Sequence, residues 1–191
     1  MAVLGGNATG KSTLVDLVYG ALEPTEGEIA LSGVNIRNLA LSDLRRDVAA
    51  VGRSEVFDGD VIENLELGHS GIDAVEATDI LSVVGLSEEI ALFPQGIFTR
   101  LGHSGGRLTS SQAARLAVAR ALAAHPKLLL LDETLDGLGE ETVRQVLRRI
   151  DAMSPPVTLL VMTSREEIAR AVGAYVRLDR GALASTMENG R

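Results

Sequence analysis

The chain has 191 residues, 46% of them hydrophobic and 23% charged, with a net charge of −8 at pH 7. That length is enough for one domain with a substantial core, and the acid surplus argues against nucleic acid as the main partner. There are no cysteines, which excludes disulfides, thiolate metal sites and a cysteine nucleophile, and no apolar run approaches the ~20 residues of a membrane span.

Ala2-Val3-Leu4 reads as the end of a buried strand and runs into Gly5-Gly6-Asn7-Ala8-Thr9-Gly10-Lys11-Ser12, a complete G-x-x-x-x-G-K-[ST] phosphate-binding loop. Thr13 to Tyr19 continue with Leu14, Val15, Leu17 and Val18 at helical spacing. Glycines let the backbone turn several N–H groups on one phosphate chain, and the helix N-terminus adds a favourable dipole. Residues Gly5 to Ser12 and Thr13 are therefore the candidate phosphate ligands. Within them Lys11 supplies a point charge for the β/γ-phosphates, and Ser12 offers its hydroxyl to Mg²⁺. Three residues are few for a strand entering such a loop, so the chain is expected to be N-terminally truncated from a longer protein.

Beyond that helix, Gly27–Leu31 and Gly33–Ile36 alternate between turn residues, as in a small antiparallel hairpin. Leu41–Arg46 fits a short helix with Ser42 as N-cap, and Val48–Val51 a buried strand. Ile72–Leu92 has helical periodicity broken at Gly85, and Gly96–Gly106 is a Gly-rich loop. Gln112–Ala124 is a helix, Leu128–Leu131 a buried strand, and Glu140–Asp151 a helix whose Arg144, Arg148 and Arg149 pair with Glu140 and Glu141. Val157–Met162 is a buried strand, Arg165–Val172 a helix, and Tyr175–Leu178 a last strand. This alternation indicates an α/β fold with a mostly parallel sheet covered on both faces. His69 and His125 have no metal-ligand spacing and read as surface residues.

The four leucines at 128–131 lead into Asp132 and Glu133. Parallel sheets place ligands at the C-terminal ends of their strands. Asp132 is the candidate Mg²⁺ ligand and Glu133 the candidate general base for an attacking water.

Leu108-Thr109-Ser110-Ser111-Gln112-Ala113-Ala114-Arg115 resembles the LSGGQ-x-x-R signature of the ATP-binding cassette of ABC transporters. Phe57-Asp58-Gly59-Asp60-Val61-Ile62-Glu63-Asn64 resembles the F-x-G-T-I-x-E-N stretch of exporter cassettes, and Phe93–Gly105 their LP-x-G-x-x-T-x-V-G-E-x-G loop. The resemblance covers nearly the whole chain. It implies a single cassette domain over 1–191, with a P-loop core, small antiparallel strands and a helical subdomain at roughly 72–122. It also implies ATP and Mg²⁺ as ligands, and a head-to-tail homo- or heterodimer in which Thr109, Ser110, Ser111 and Gln112 reach the partner's ATP. A membrane-spanning domain, fused upstream or separate, would hold the chain at the cytoplasmic face of the membrane.

The chain departs from the family at several motifs. Ser110 and Ser111 replace the signature glycines, and serine reaches some glycine geometries only at a cost. They either cap the following helix or contact a partner's phosphate. Arg53 stands at the Q-loop glutamine, where it either pairs with a phosphate or an acid of a membrane partner, or is a surface arginine. Ser164 stands at the switch histidine, where it either donates to a γ-phosphate oxygen or caps a helix. The D-loop S-A-L-D reads Asp136-Gly137-Leu138-Gly139, and His103 replaces the glutamate of the exporter loop. No residue here matches the family's adenine-stacking aromatic, which lies upstream of the phosphate loop. The expected function is an ATP-binding, ATP-hydrolysing domain of an exporter. The alternative is a regulatory cassette with little hydrolysis. A chromosome-maintenance ATPase is disfavoured by the compact interval between phosphate loop and signature.

Overall fold

The computed structural model describes residues 1–52, 55–67, 71–102 and 108–187. Arg53, His69, His103 and the rest of 103–107 lie outside the described residues, so the Q-loop position and part of the Gly-rich loop do too.

In chain order, β1 (Ala2–Leu4) leads through the phosphate loop into α1 (Lys11–Val18), and β2 (Ala30–Leu31) and β3 (Val34–Asn35) form the expected hairpin. Then come α2 (Leu41–Asp47), β4 (Val48–Val51), β5 (Gly59–Asp60), α3 (Val61–Glu66), α4 (Ala74–Val83), α5 (Ser87–Ala91) and β6 (Arg100–Leu101). The second half is α6 (Ser110–Ala123), β7 (Leu128–Asp132), α7 (Glu140–Asp151), β8 (Thr158–Thr163), α8 (Glu166–Val172), β9 (Tyr175–Asp179) and β10 (Ala182–Met187).

Six strands form one sheet in the order β10-β9-β1-β8-β7-β4, parallel except for the β9–β10 pair. Successive side chains of a strand face opposite ways, so a continuous apolar run feeds two cores. Ala2, Leu4, Leu129, Leu131 and Val161 pack with α3 to α8 on one face. Val3, Leu130 and Met162 pack with Val15, Val18 and Leu44 on the other. The leucine run of β7 is buried because both of its faces are covered, and this fixes where Asp132 and Glu133 emerge. Among the described residues no helix is long and apolar enough to cross a membrane.

Several local expectations change. Ala40, not Ser42, precedes α2 as its N-cap, and Ser42 lies inside the helix. Tyr175–Asp179 is not the last strand, because β10 returns beside it through Arg180 and Gly181, both at positive φ (48° and 78°), a type I′ pattern. β5 and β6 pair Gly59 with Leu101 and Asp60 with Arg100, within stretches that show no strand periodicity. α3 opens with a capping box in which Asp60 accepts from the Glu63 N–H and Glu63 from the Asp60 N–H. Arg149 does not join the acid pairs of α7, since its Nη1 donates to the Ser82 carbonyl at 2.8 Å, whereas Arg144 pairs with Glu140 and Arg148 lies 3.9 Å from Glu141. His125 is exposed, with Nε2 2.9 Å from Glu76 Oε1.

Candidate nucleotide-binding site

The loop between β1 and α1 is built by close approach. A Cβ on Gly5 would lie 2.5 Å from Thr9 Oγ1 and 2.8 Å from the Leu178 carbonyl, so only glycine fits. Gly10, the α1 N-cap, sits at φ 102°, a left-handed conformation that favours glycine. Thr9 Oγ1 donates to the Gly6 carbonyl at 2.9 Å and closes the loop on itself. Gly6 is the opposite case: a Cβ there would meet no heavy atom within 4 Å, which leaves that face of the loop open.

Lys11 opens α1 and is 4% exposed, so its ammonium must be satisfied by protein groups. It donates to the carbonyls of Gly5 and Gly6, each at 2.6 Å, and lies 3.1 Å from Glu133 Oε1. Lys11 and Glu133, 122 positions apart in sequence, thus meet in one place. Asn7, Ala8, Gly10, Ser12, Thr13 and Glu133, with Lys11, line a cavity of about 280 Å³ at the C-terminal end of the sheet.

Glu133 adopts φ 54°, a strained value for a side chain with a Cβ, and its N–H donates to the Met162 carbonyl at 2.9 Å. The kink ends β7 and turns the chain so that this carboxylate faces Lys11. Asp132 precedes it on β7, and its Oδ1 is buried without a hydrogen-bond partner among the described residues. A buried carboxylate oxygen left unpaired is costly and calls for a cation or a donor. Thr134 anchors the following turn by donating to the Val51 carbonyl at 2.7 Å.

The signature residues lie elsewhere. Thr109 is the N-cap of α6: its Oγ1 accepts from the Gln112 N–H at 3.2 Å, and Gln112 Oε1 accepts from the Thr109 N–H at 2.8 Å. The cap therefore belongs to Thr109, and Ser110 and Ser111 are helical residues without a positive φ, so replacing glycine brings no backbone strain here. Gln112 Nε2 donates to Glu89 Oε2 at 2.7 Å, and buried Arg115 reaches Glu89 Oε1 and the Gly85 carbonyl at 2.8 and 2.7 Å. Partial burial pushes the Glu89 carboxyl up, but hydrogen bonds from Arg115 and Gln112 outweigh it and hold the group below its ordinary value. Among the described residues, the side-chain hydrogen bonds of 109–112 stay within α6 or reach α5, and none reaches 5–13.

Ser164 does not cap α8, whose N-cap is Arg165. It is held by Asp136 instead, with N and Oγ at 2.9 and 2.8 Å from Oδ2. Reading the sequence along its length missed this contact. Asp136 showed only as a changed D-loop residue, and no local signal links positions 28 apart.

Fold and site together define a P-loop nucleotide-binding domain. A family model described as ABC transporter matches residues 1–136. The ATP-dependent lipid A-core flippase of Cupriavidus metallidurans is 34% identical over 188 residues, which cover 96% of this chain and 32% of that protein. The heterocyst differentiation ATP-binding protein HepA of Nostoc sp. is 30% identical over 183 residues, 95% of this chain and 30% of that one. A solved structure of a bacterial Atm1-family ABC exporter with ATP bound matches with a TM-score of 0.90 and 27% identity, over 98% of this chain and 33% of that chain. The chain belongs to the ABC transporter family, as an exporter-type ATP-binding domain. It spans about a third of the length of these relatives. The family and fold class expected from the signature and the exporter-like stretches are those found.

Proposed function

We propose that this chain binds Mg-ATP and hydrolyses it to drive export through a membrane-spanning domain. The observation that carries this reading is the meeting of Lys11 and Glu133, at 3.1 Å, over a phosphate loop at the end of β1. Backbone N–H groups of 5–13 would hold the phosphates, and Lys11 would bind the β/γ oxygens. An arriving phosphate competes with Glu133 for Lys11, which releases that carboxylate to take a proton from an attacking water. Mg²⁺ suits the donor set, since Asp132 Oδ1 is a buried oxygen without a hydrogen-bond partner among the described residues and Ser12 adds a hydroxyl beside the loop. When bound, the ion would neutralise charge on the phosphates.

The remaining assignments rest on the family. Thr109 to Gln112 would face the ATP of a second cassette in a head-to-tail dimer, and the whole 1–191 chain would act as one cassette at the cytoplasmic face of the membrane. Helices α4, α5 and α6, within roughly 72–122, would form its helical subdomain.

The test is Glu133→Gln, with Mg-ATP binding and steady-state phosphate release measured on the same preparations. Turnover should fall by about a hundredfold while Mg-ATP stays bound. Equal turnover in parent and variant would remove Glu133 from the role of base. A regulatory reading has its own support in the Ser164 hydroxyl, already committed to Asp136. It predicts that the parent binds Mg-ATP and shows no multiple turnover.

A further inference from the structure

The turns that follow β7 and β8 are clamped together beside the phosphate loop. Asp136 Oδ1 accepts from Thr163 Oγ1 at 2.6 Å, and Oδ2 accepts from the N–H and hydroxyl of Ser164. Arg165 Nη1 donates to the carbonyls of Asp136 and Leu138, both at 2.9 Å, and the Arg165 N–H donates to Thr163 Oγ1 at 3.0 Å. Arg165 is held in turn by Glu167, at 3.1 Å. Thr163 is fully buried, and its carbonyl accepts from the N–H of Gly5 at 3.0 Å. Ser164 is therefore the residue next to the anchor of the first loop glycine, at the edge where a terminal phosphate would lie.

We propose that Asp136 is a positioning residue that commits the Ser164 proton and so withholds a hydrogen-bond donor from the terminal phosphate of a bound nucleotide. The proposal rests on the reading of residues 5–13 as an ATP site. A serine hydroxyl has one proton and two lone pairs. Donation to a carboxylate is charge-assisted, roughly twice as strong as a neutral hydrogen bond. Phosphate oxygens at neutral pH are acceptors, so the lone pairs left on Ser164 offer them nothing. The same carboxylate sets a negative charge at this edge, where the family resemblance places a serine. With the hydroxyl turned to Asp136, the chain gains less from the third phosphate than its loop would allow. The clamp also joins the turn that follows Glu133 to the turn that follows β8.

The test is a double-mutant cycle on the 191-residue chain, read as the ratio of Mg-ATP to Mg-ADP affinity by calorimetry. Asp136→Ala should raise that ratio about tenfold when Ser164 is present, the worth of one hydroxyl donated to a charged oxygen. In the Ser164→Ala background the gain should be at least fivefold smaller, a dependence that general loosening of the clamp would not produce. Asp136→Asn, which keeps the shape of the side chain, serves where the alanine variant does not melt cooperatively, and the same dependence on Ser164 is expected at smaller size. Equal gains in both backgrounds, or no gain in either, overturn the proposal while leaving the ATP site intact. Failure of the parent chain to bind either nucleotide overturns the ATP reading itself.

Discussion

The phosphate loop and the signature turn both sit at helix N-termini and differ in what their backbones demand. In the loop, Gly5 cannot carry a Cβ and Gly10 sits at φ 102°, so residue identity is dictated by geometry within the chain. In the signature turn, Thr109 has an extended backbone at φ −69° and ψ 162°, and Ser110 and Ser111 continue as ordinary helix. The fold accepts serines there without strain. The loop retains its complete motif, whereas the signature departs from LSGGQ. Loss of the signature glycines leaves the packing of one chain undisturbed, so its consequence falls on whatever meets that surface.

Four variants would break or sharpen this contrast. Lys11→Ala is the largest: it removes the buried ammonium, and Mg-ATP affinity should fall at least about a hundredfold, or ~3 kcal/mol, by calorimetric titration. Binding within threefold of the parent would show that the loop works without its lysine. Gly5→Ala comes next, at about 2 kcal/mol of stability in a denaturant melt, because the added Cβ must displace the Leu178 carbonyl 2.8 Å away. An unchanged midpoint would mean that the loop is less tightly built than the geometry indicates. Thr109→Ala should cost about 1 kcal/mol, since the capping box of α6 loses its hydroxyl. The double change Ser110→Gly with Ser111→Gly should cost only about 0.5 kcal/mol, the difference in helix propensity at two first-turn positions. A loss as large as that of Gly5→Ala would erase the difference between the two turns.

The contrast also explains what could be read in advance. The phosphate loop is contiguous, and its residue types state its conformation, so it was legible without any fold. Helix α7 matches its expected limits because a strong 3.6-residue stripe over twelve residues leaves no competing reading. The helix at 61–66 went unread although Asp60 and Glu63 have capping-box spacing, and β10 went unread although Arg180-Gly181 is a turn signal. Both signals were present but short. The caps expected at Ser42 and Ser164 failed for another reason. An N-cap is chosen by the φ and ψ with which the chain leaves the preceding segment, and at Ser164 the hydroxyl found the carboxylate of Asp136 instead.

By itself, then, the sequence determined the phosphate loop, the order of most of the strands and helices, the acid pair after the leucine run and the family. These follow from neighbouring residues, whose spacing carries the information. Only the tertiary structure decided that Lys11 meets Glu133, that Asp132 keeps a buried oxygen unpaired among the described residues, and that Asp136 holds Ser164. Those contacts join the ends of three parallel strands far apart in the chain. Strand pairing in the folded sheet, and no local preference, brings them within hydrogen-bonding reach.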